Sequence, residues 1–140
     1  MADLLDANVW IGLTSPLHSL HRRATHYWRD EVVGPVAFCR TTALGLVRVL
    51  SGKHSTGGVP LRFEEAWRSY LLWRADEGVV FLDEPSSVEQ TLGSFIAADV
   101  VTSKNSTDAY LAAFAISAGL RLVSFDEDFE RFPGLDLLRL

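Results

Sequence analysis

Short apolar runs alternate along the chain with longer segments in which apolar residues recur at helical spacing. The runs at 4–5, 36–39, 79–82 and 120–125 have the length of buried strands, and a last one covers 135–140. The segments of helical period lie at 7–13, 17–32, 41–50, 61–76, 87–98 and 106–118. This alternation predicts an α/β fold in which helices cover a mainly parallel sheet of four to five strands.

Turn-forming and capping residues support these boundaries. Gly119 is well placed to end the helix before it. Thr41 or Thr42 is expected to cap the helix that follows the second strand. The glycine-rich segment 51–60 has no apolar period and predicts a mobile surface loop.

The helix at 61–76 carries an apolar stripe made of Phe63, Ala66, Trp67, Tyr70 and Leu71. Such a stripe predicts a face buried against the rest of the fold. The large aromatic residues of the helices are expected in the core or at a subunit interface: Trp28, Trp67, Tyr70 and Trp73. Cys39 lies in an apolar strand and is expected to be a buried thiol.

Composition indicates a single globular domain over residues 1–140. Hydrophobic residues make up 48% of the chain and charged residues 22%, unlike a disordered or collagen-like sequence. No apolar run approaches the roughly 20 residues needed to cross a bilayer. One cysteine and an acidic N-terminal segment without a targeting signal predict a cytosolic protein.

The net charge of −5 argues against a protein that binds nucleic acid through overall positive charge. Clustered carboxylates that bind a divalent cation lower the net charge in the same way. The acidic balance therefore remains compatible with metal-dependent cleavage of nucleic acid.

Four aspartates fall where a parallel sheet would gather them. Asp6 follows the first strand, Asp126 follows the fourth, and Asp128 lies two residues further on. Asp108 lies in the first turn of a helix, which should face the same edge as the strand ends. Each alone has an ordinary explanation, as a helix cap, a favourable charge at a helix N-terminus or a polar turn. Together they form a set of like charges that a hard cation such as Mg²⁺ or Mn²⁺ would neutralise.

The histidines are not expected to be metal ligands. Three of them, His18, His21 and His26, lie on one predicted polar helix face, and His54 lies in the glycine-rich segment. No cluster of histidine and cysteine has the spacing of a zinc site.

Five segments match those of one known family in the same order. They are 4–11 (LLDANVWI), 18–28, 38–51 (FCRTTALGLVRVLS), 108–115 (DAYLAAFA) and 123–134 (VSFDEDFERFPG). On these segments the chain resembles the PIN-domain ribonucleases, specifically the VapC-like toxins of type II toxin–antitoxin systems. One such segment would be weak evidence, whereas the ordered set runs from the start of the chain to its end.

The resemblance implies a three-layer α/β/α fold and cleavage of RNA with Mg²⁺ or Mn²⁺. It implies that Asp6, Asp108 and Asp126 are catalytic residues and metal ligands, with Asp128 as an auxiliary ligand. The family's acid in the helix after the second strand falls on Ala43, and alanine can neither ligate a cation nor orient a water. The alternative is therefore a catalytically weakened or inactive PIN fold that binds RNA or an antitoxin.

Further expectations concern RNA contacts and partners. Arg48, Asn105 and Thr107 are candidate RNA contacts, although a solvated arginine and helix capping explain these residues as well. Ser124 is expected either to hydrogen-bond near the site or to be an ordinary strand residue. The resemblance implies an RNA substrate, a small antitoxin that holds the chain inactive, a homodimer and no membrane association.

Two other classes of protein gather acids at strand ends and fit poorly. A receiver-like signalling domain needs a second acid beside Asp6 and a lysine after a later strand, and the sequence offers neither. A HAD-type phosphatase needs Asp-x-Asp after the first strand, and the second acid position is Asn8. The ribonuclease remains the favoured interpretation.

Overall fold

The structure is a computed structural model that describes residues 2–53 and 59–140. The strands in these ranges are β1 (Asp3–Leu5), β2 (Val36–Phe38), β3 (Val79–Phe81), β4 (Arg121–Ser124) and β5 (Leu137–Arg139). The helices are α1 (Ala7–Thr14), α2 (His21–Asp30), α3 (Arg40–Leu50), α4 (Phe63–Arg74), α5 (Val88–Ala97) and α6 (Ser106–Ala118), and a 3₁₀ helix covers Glu127–Arg131.

The five strands form one sheet in the order β3-β2-β1-β4-β5, and every pair is parallel. The strand β1 is therefore central. Side chains alternate between the two faces of the sheet, so that Leu4 and Leu122 enter one core cluster while Leu5 and Val123 enter the other. The predicted sheet is confirmed, with five strands.

Helices cover both faces of the sheet. Buried side chains of α1, α2, α3 and α4 form one core cluster with the sheet, and those of α5 and α6 form the other. The three-layer α/β/α fold is therefore confirmed. Among the described residues, no helix is both long enough and apolar enough to span a membrane.

The helix predicted at 17–32 is shorter than expected. The helix α2 begins at His21, because a turn precedes it in which Leu20 N donates a hydrogen bond to His18 Nδ1 (3.1 Å). Leu17, the first residue of the predicted helical segment, lies outside the helix and is exposed. The sequence pattern therefore predicts the start of this helix about one turn too early.

The start of α3 also differs from the prediction. Cys39 occupies the cap position in place of Thr41 or Thr42. The Thr42 hydroxyl instead accepts a hydrogen bond from Cys39 N (3.1 Å), from inside the first turn. Cys39 is buried, as predicted.

The apolar stripe on α4 is buried only in its centre. Ala66 and Tyr70 are buried and Trp67 packs against them, whereas Phe63 is 60% exposed and Leu71 48% exposed. The prediction of a fully buried stripe is wrong for these two residues, because only the central turns of α4 rest on the core. The other aromatic residues, Trp28 and Trp73, pack against the same core cluster.

Two further sequence predictions concern loops. Gly119 ends α6 in the left-handed conformation, with φ of 67°, as expected for a helix stop. His54 and the central part of the glycine-rich segment, 54–58, lie outside the described residues.

A buried ion pair closes the amino-terminal edge of the sheet. Asp3 is 7% exposed and accepts hydrogen bonds from Arg121 Nε and Nη2 on β4, at 2.9 and 2.7 Å. The hydroxyl of Tyr27 on α2 donates a third, at 2.7 Å. Burial, and then this hydrogen bond to a carboxylate, raise the pKa of Tyr27. The group therefore ties together β1, β4 and α2.

We expect Asp3→Ala to lower the free energy of unfolding by about 3 kcal/mol, because it leaves a partly buried guanidinium and a buried hydroxyl without their partner. Urea unfolding followed by circular dichroism measures the change. The control Asp83→Ala, at an exposed position beyond β3, should change stability by less than about 0.5 kcal/mol. A loss below about 1 kcal/mol for Asp3→Ala, the range of a surface ion pair, would contradict this role.

Candidate active site

Asp6 links the central strand to the first helix. Its Oδ1 accepts a hydrogen bond from Ala7 N (2.7 Å) at the start of α1, and its Oδ2 accepts one from the Ser124 hydroxyl (2.7 Å) at the end of β4. Asp6 is therefore the N-terminal cap of α1, which is the ordinary structural role given for it in the sequence analysis. It is also fixed toward the neighbouring strand.

Ser124 connects Asp6 to Asp126. Its hydroxyl oxygen is buried and accepts hydrogen bonds from Asp126 N (3.0 Å) and Asn8 Nδ2 (3.4 Å). Asp126 Oδ1 in turn accepts one from Asp128 N (2.8 Å) and begins the 3₁₀ helix. The ends of β1 and β4 are thus joined by one hydroxyl, and Ser124 does hydrogen-bond beside the aspartates.

A cavity of 790 Å³ lies at this edge of the sheet, and both Asp6 and Asp108 line it. Asp108 reaches the cavity from the first turn of α6. The helices α3 and α4 contribute other parts of the wall, including Thr41, Arg48 and Phe63. Carboxylates from two separate elements therefore share one opening.

Gly45 on α3 also lines this cavity, and it packs too closely against Ala7 to carry a side chain. A Cβ atom at this position would lie 2.9 Å from the Cβ of Ala7, closer than such atoms approach. The glycine therefore lets α3 pack against the start of α1, beside Asp6.

The two cavity carboxylates hold their protons more tightly than usual. Burial raises the pKa of Asp108 to about 6, and the negative charges of Asp6, Asp126 and Asp128 add to the effect. Burial also raises the pKa of Asp6, against the opposing effect of the hydrogen bond from Ser124, and Asp126 contributes in the same direction as burial. The four predicted aspartates therefore interact electrostatically at one edge.

The donor set fits a hard divalent cation held partly by water. Oxygen ligands and an excess of negative charge suit Mg²⁺ or Mn²⁺. Within residues 2–53 and 59–140, no three His, Cys, Asp or Glu side chains lie close enough together to hold a metal ion. A cation bound by Asp6 and Asp108 would therefore complete its shell with waters, as Mg²⁺ usually does.

The four aspartates are not equivalent in position. Asp6 and Asp108 are half-buried on the cavity wall, and Asp126 is half-buried next to Ser124. Asp128 is exposed and its Oδ1 lies 3.3 Å from Arg131 Nη2. Of the four, only Asp6 and Asp108 line the cavity.

Ala43 is fully buried and packs within the core cluster between the sheet and the first four helices. Its neighbours Thr42 and Leu44 line the cavity, but Ala43 does not. The position at which the resemblance implies an acid here contributes a methyl group to the core.

The candidate RNA-contact residues differ in accessibility. Arg48 is exposed on the cavity wall, and its side chain has no ion pair among the described residues. Thr107 is exposed on the same wall. Asn105 is buried: its Oδ1 accepts from Thr102 N (2.7 Å) and its Nδ2 donates to Val100 O (3.0 Å). Its amide thus organises the loop that enters α6.

The histidines that the structure describes lie away from this cavity. His21 and His26 line a separate cavity of 850 Å³ on the surface of α2. His26 pairs with Asp30 (Nδ1 to Oδ2, 2.8 Å), and His21 Nδ1 lies 2.7 Å from Gly12 O. Both histidines therefore have hydrogen-bond or ion-pair partners within the fold.

Comparison with known proteins identifies the fold family. The family model described as PIN domain matches residues 4–135. The chain belongs to the PIN-domain family.

Sequence relatives place this PIN domain beside the VapC proteins. Ribonuclease VapC41 of Mycobacterium tuberculosis, in strains CDC 1551 / Oshkosh and ATCC 25618 / H37Rv, is 34% identical over 140 residues. The alignment covers 96% of this chain and 95% of the relative. The resemblance to VapC-like proteins is therefore confirmed.

Solved structures of low sequence identity share the fold. VapC20 of Mycobacterium tuberculosis, described as a sarcin–ricin-loop-cleaving toxin, matches with a TM-score of 0.71 at 16% identity, over 99% of each chain. VapBC2 of Rickettsia felis, bound to a promoter DNA fragment, matches with a TM-score of 0.69 at 15% identity, over 99% of this chain and 98% of that one. These likenesses support the PIN fold.

We expect Asp108→Asn to stabilise the PIN domain in EDTA at pH 7 by roughly 1 kcal/mol, after allowance for solvent screening. Since the folded-state pKa of about 6 lies above the ordinary 3.8, folding penalises the charged form. The wild type should therefore lose stability relative to the variant as the pH rises from about 4 to 6, with no such difference accruing below that range. Urea unfolding across this range measures it.

The control for this prediction is Asp83→Asn, at an exposed position outside the cavity. Its free energy of unfolding should differ from that of the wild type by less than about 0.5 kcal/mol. If the difference between Asp108→Asn and wild type does not change with pH, burial and the neighbouring acids do not penalise the Asp108 charge.

Proposed function

We propose that this PIN domain is a metal-dependent endoribonuclease that hydrolyses RNA phosphodiester bonds with Mg²⁺ or Mn²⁺. The observation that carries the proposal is the pairing of two half-buried carboxylates, Asp6 and Asp108, on one cavity wall at the carboxyl end of the sheet. Relatives support RNA as the substrate: one is named ribonuclease VapC41, and the fold neighbour VapC20 is described as cleaving the sarcin–ricin loop.

Each aspartate would have a role in cation binding that follows from its position. Asp6 and Asp108 would hold the cation, and the exposed Asp128 would be an auxiliary acid. Asp126 would be a further ligand through water, since no three such side chains of the described residues lie close enough to bind one ion directly. A bound divalent cation would lower the pKa of a coordinated water and offset charge on the scissile phosphate. Ser124 would keep Asp6 and Asp126 oriented through its hydrogen bonds.

The reaction is an in-line hydrolysis. The water oxygen forms a bond to phosphorus while the bond to one sugar oxygen breaks, and that oxygen leaves with a proton. Arg48 would bind a phosphate of the strand, since its charge is exposed on the cavity wall. Thr107 would add a hydroxyl contact, while Asn105 would act through the shape of the loop before α6.

The proposal includes a role as the toxin of a toxin–antitoxin pair. The fold neighbours from Rickettsia felis, Salmonella typhimurium and nontypeable Haemophilus influenzae are VapBC proteins. The partner of this chain would be a small antitoxin protein. A homodimer and a cytosolic location stay predictions.

The second candidate function is a PIN fold that binds RNA or an antitoxin without cutting. The observation that favours it is the buried Ala43, which supplies no oxygen to the site. Under this alternative, the remaining aspartates are too few to support hydrolysis.

Cleavage by purified chain separates the two functions. We expect Mg²⁺-dependent cleavage of a structured RNA to fall roughly a hundredfold or more in Asp6→Asn and in Asp108→Asn, since each variant removes a charged ligand and nearly preserves side-chain size. Gel analysis of a fluorescent RNA, with Mg²⁺ or with EDTA, measures the rate. Asp83→Asn is the matched control, because Asp83 follows the nearby strand β3 but is exposed and outside the cavity.

Equal cutting by all variants, or cutting in EDTA, would contradict the ribonuclease proposal. Ala43→Glu then tests whether position 43 limits activity, with Ala43→Gln as a control of similar size and no charge. If glutamate alone raises Mg²⁺ affinity and cleavage, the missing acid is limiting. Unchanged affinity in both variants would show that the remaining aspartates suffice.

A further inference from the structure

Two exposed apolar side chains share the cavity with the aspartates. Phe63 is the first residue of α4 and is 60% exposed, and Leu44 on α3 is 49% exposed. Scattered exposed apolar residues are ordinary on protein surfaces. Here two of them, from different helices, converge on one opening that also holds charged groups, which is the composition of a ligand cavity.

A cation lies beside this apolar pair. Arg48 follows Leu44 by four residues on α3, so both side chains lie on the same face of the helix. Arg48 lines the same cavity and has no ion pair within the described parts of the chain. The wall therefore combines an aromatic ring, an aliphatic side chain and a positive charge that no described residue neutralises in an ion pair.

This combination favours one class of ligand. A nucleotide of a single strand offers a flat apolar base for the ring and a phosphate for the arginine. A purely apolar peptide would contact Phe63 and Leu44 but would leave the charge of Arg48 unmatched. A base inside a duplex has its faces covered by its neighbours and cannot stack on a protein ring.

We propose that Phe63 is a platform on which an unpaired RNA base stacks next to the cleaved bond, with Leu44 at the edge of the same subsite. This inference rests on the proposed ribonuclease function and adds a positioning residue to it. Stacking on an aromatic ring is tolerant of base identity. The subsite therefore holds the strand without setting the sequence that is cut.

The test compares Phe63→Ala, Phe63→Leu and Phe63→Trp in Mg²⁺-dependent cleavage of a single-stranded oligoribonucleotide. Phe63→Ala should raise KM about tenfold and change kcat little, since a stacked base contributes binding rather than chemistry. Phe63→Leu should resemble Phe63→Ala, because an aliphatic side chain lacks the ring, and Phe63→Trp should retain wild-type KM. Leu72→Ala is the control: Leu72 is a 71% exposed apolar residue of the same helix, outside the cavity.

A spectroscopic measurement reports the stacking itself. An oligoribonucleotide carrying 2-aminopurine should lose fluorescence on binding to the Asp108→Asn chain, because stacking quenches this base. This variant is used because its cleavage is expected to be slower by roughly a hundredfold or more. The quenching should disappear when Phe63→Ala is added. All variants at position 63 should keep the wild-type urea midpoint, because the side chain is exposed.

The outcomes separate failure of this inference from failure of the proposed function. A wild-type chain that neither binds nor cuts RNA would overturn both. A wild-type chain that cuts, with unchanged KM in Phe63→Ala, would overturn the inference alone. Wild-type KM in Phe63→Leu would indicate a simple apolar contact instead of stacking. Loss of antitoxin binding in Phe63→Ala, without loss of RNA binding, would assign the ring to a protein partner. Either result overturns the inference.

Discussion

The parallel pairing of β1 between β2 and β4 is the constraint on which the candidate site depends. All strands of the sheet end at the same edge. Asp6 after β1 and Asp126 after β4 therefore become neighbours, although they lie roughly 120 positions apart in the sequence. The buried Ser124 hydroxyl spans the remaining gap. At the opposite edge, the Asp3–Arg121 pair fixes β1 against β4, so the register that places Ser124 beside Asp6 is held from both ends.

The same geometry concentrates negative charge, which opposes folding. The raised pKa values of Asp6 and Asp108 follow from burial and from the other acids at that edge. A set of residues chosen for stability alone would not place these carboxylates together, whereas a cation would offset their repulsion. Elsewhere, two well-packed core clusters and the Asp3 ion pair stabilise the fold against this cost.

Much of the fold and the position of the aspartates could be predicted from sequence, because both follow from local periodicity and from the single direction of a parallel sheet. Asp6, Asp108 and Asp126 were placed correctly at one edge for this reason. The Asp3–Arg121 pair could not be found this way, since the two residues lie 118 positions apart and no periodic signal relates them. The exposure of Phe63 was also missed, because periodicity describes a helix face and not where the helix leaves the core.

Ala43 shows a second reason why the site could not be fully predicted from the sequence. Family resemblance identified the position as lacking an acid, but only the packing shows that its methyl group fills the core while adjacent residues line the cavity. Similarly, Asn105 lies beside the site in sequence, yet its amide is occupied by the backbone of its own loop. Side-chain environment of this kind depends on contacts between distant segments.

Anomalous scattering from crystals soaked in MnCl₂ tests most directly whether the two cavity aspartates form one cation site. The predicted result is a single strong peak in the cavity, bonded to carboxylate oxygens of both Asp6 and Asp108, and absent from crystals of Asp108→Asn. A peak bound elsewhere on the chain, an empty cavity at saturating Mn²⁺, or a peak that persists in Asp108→Asn would contradict it.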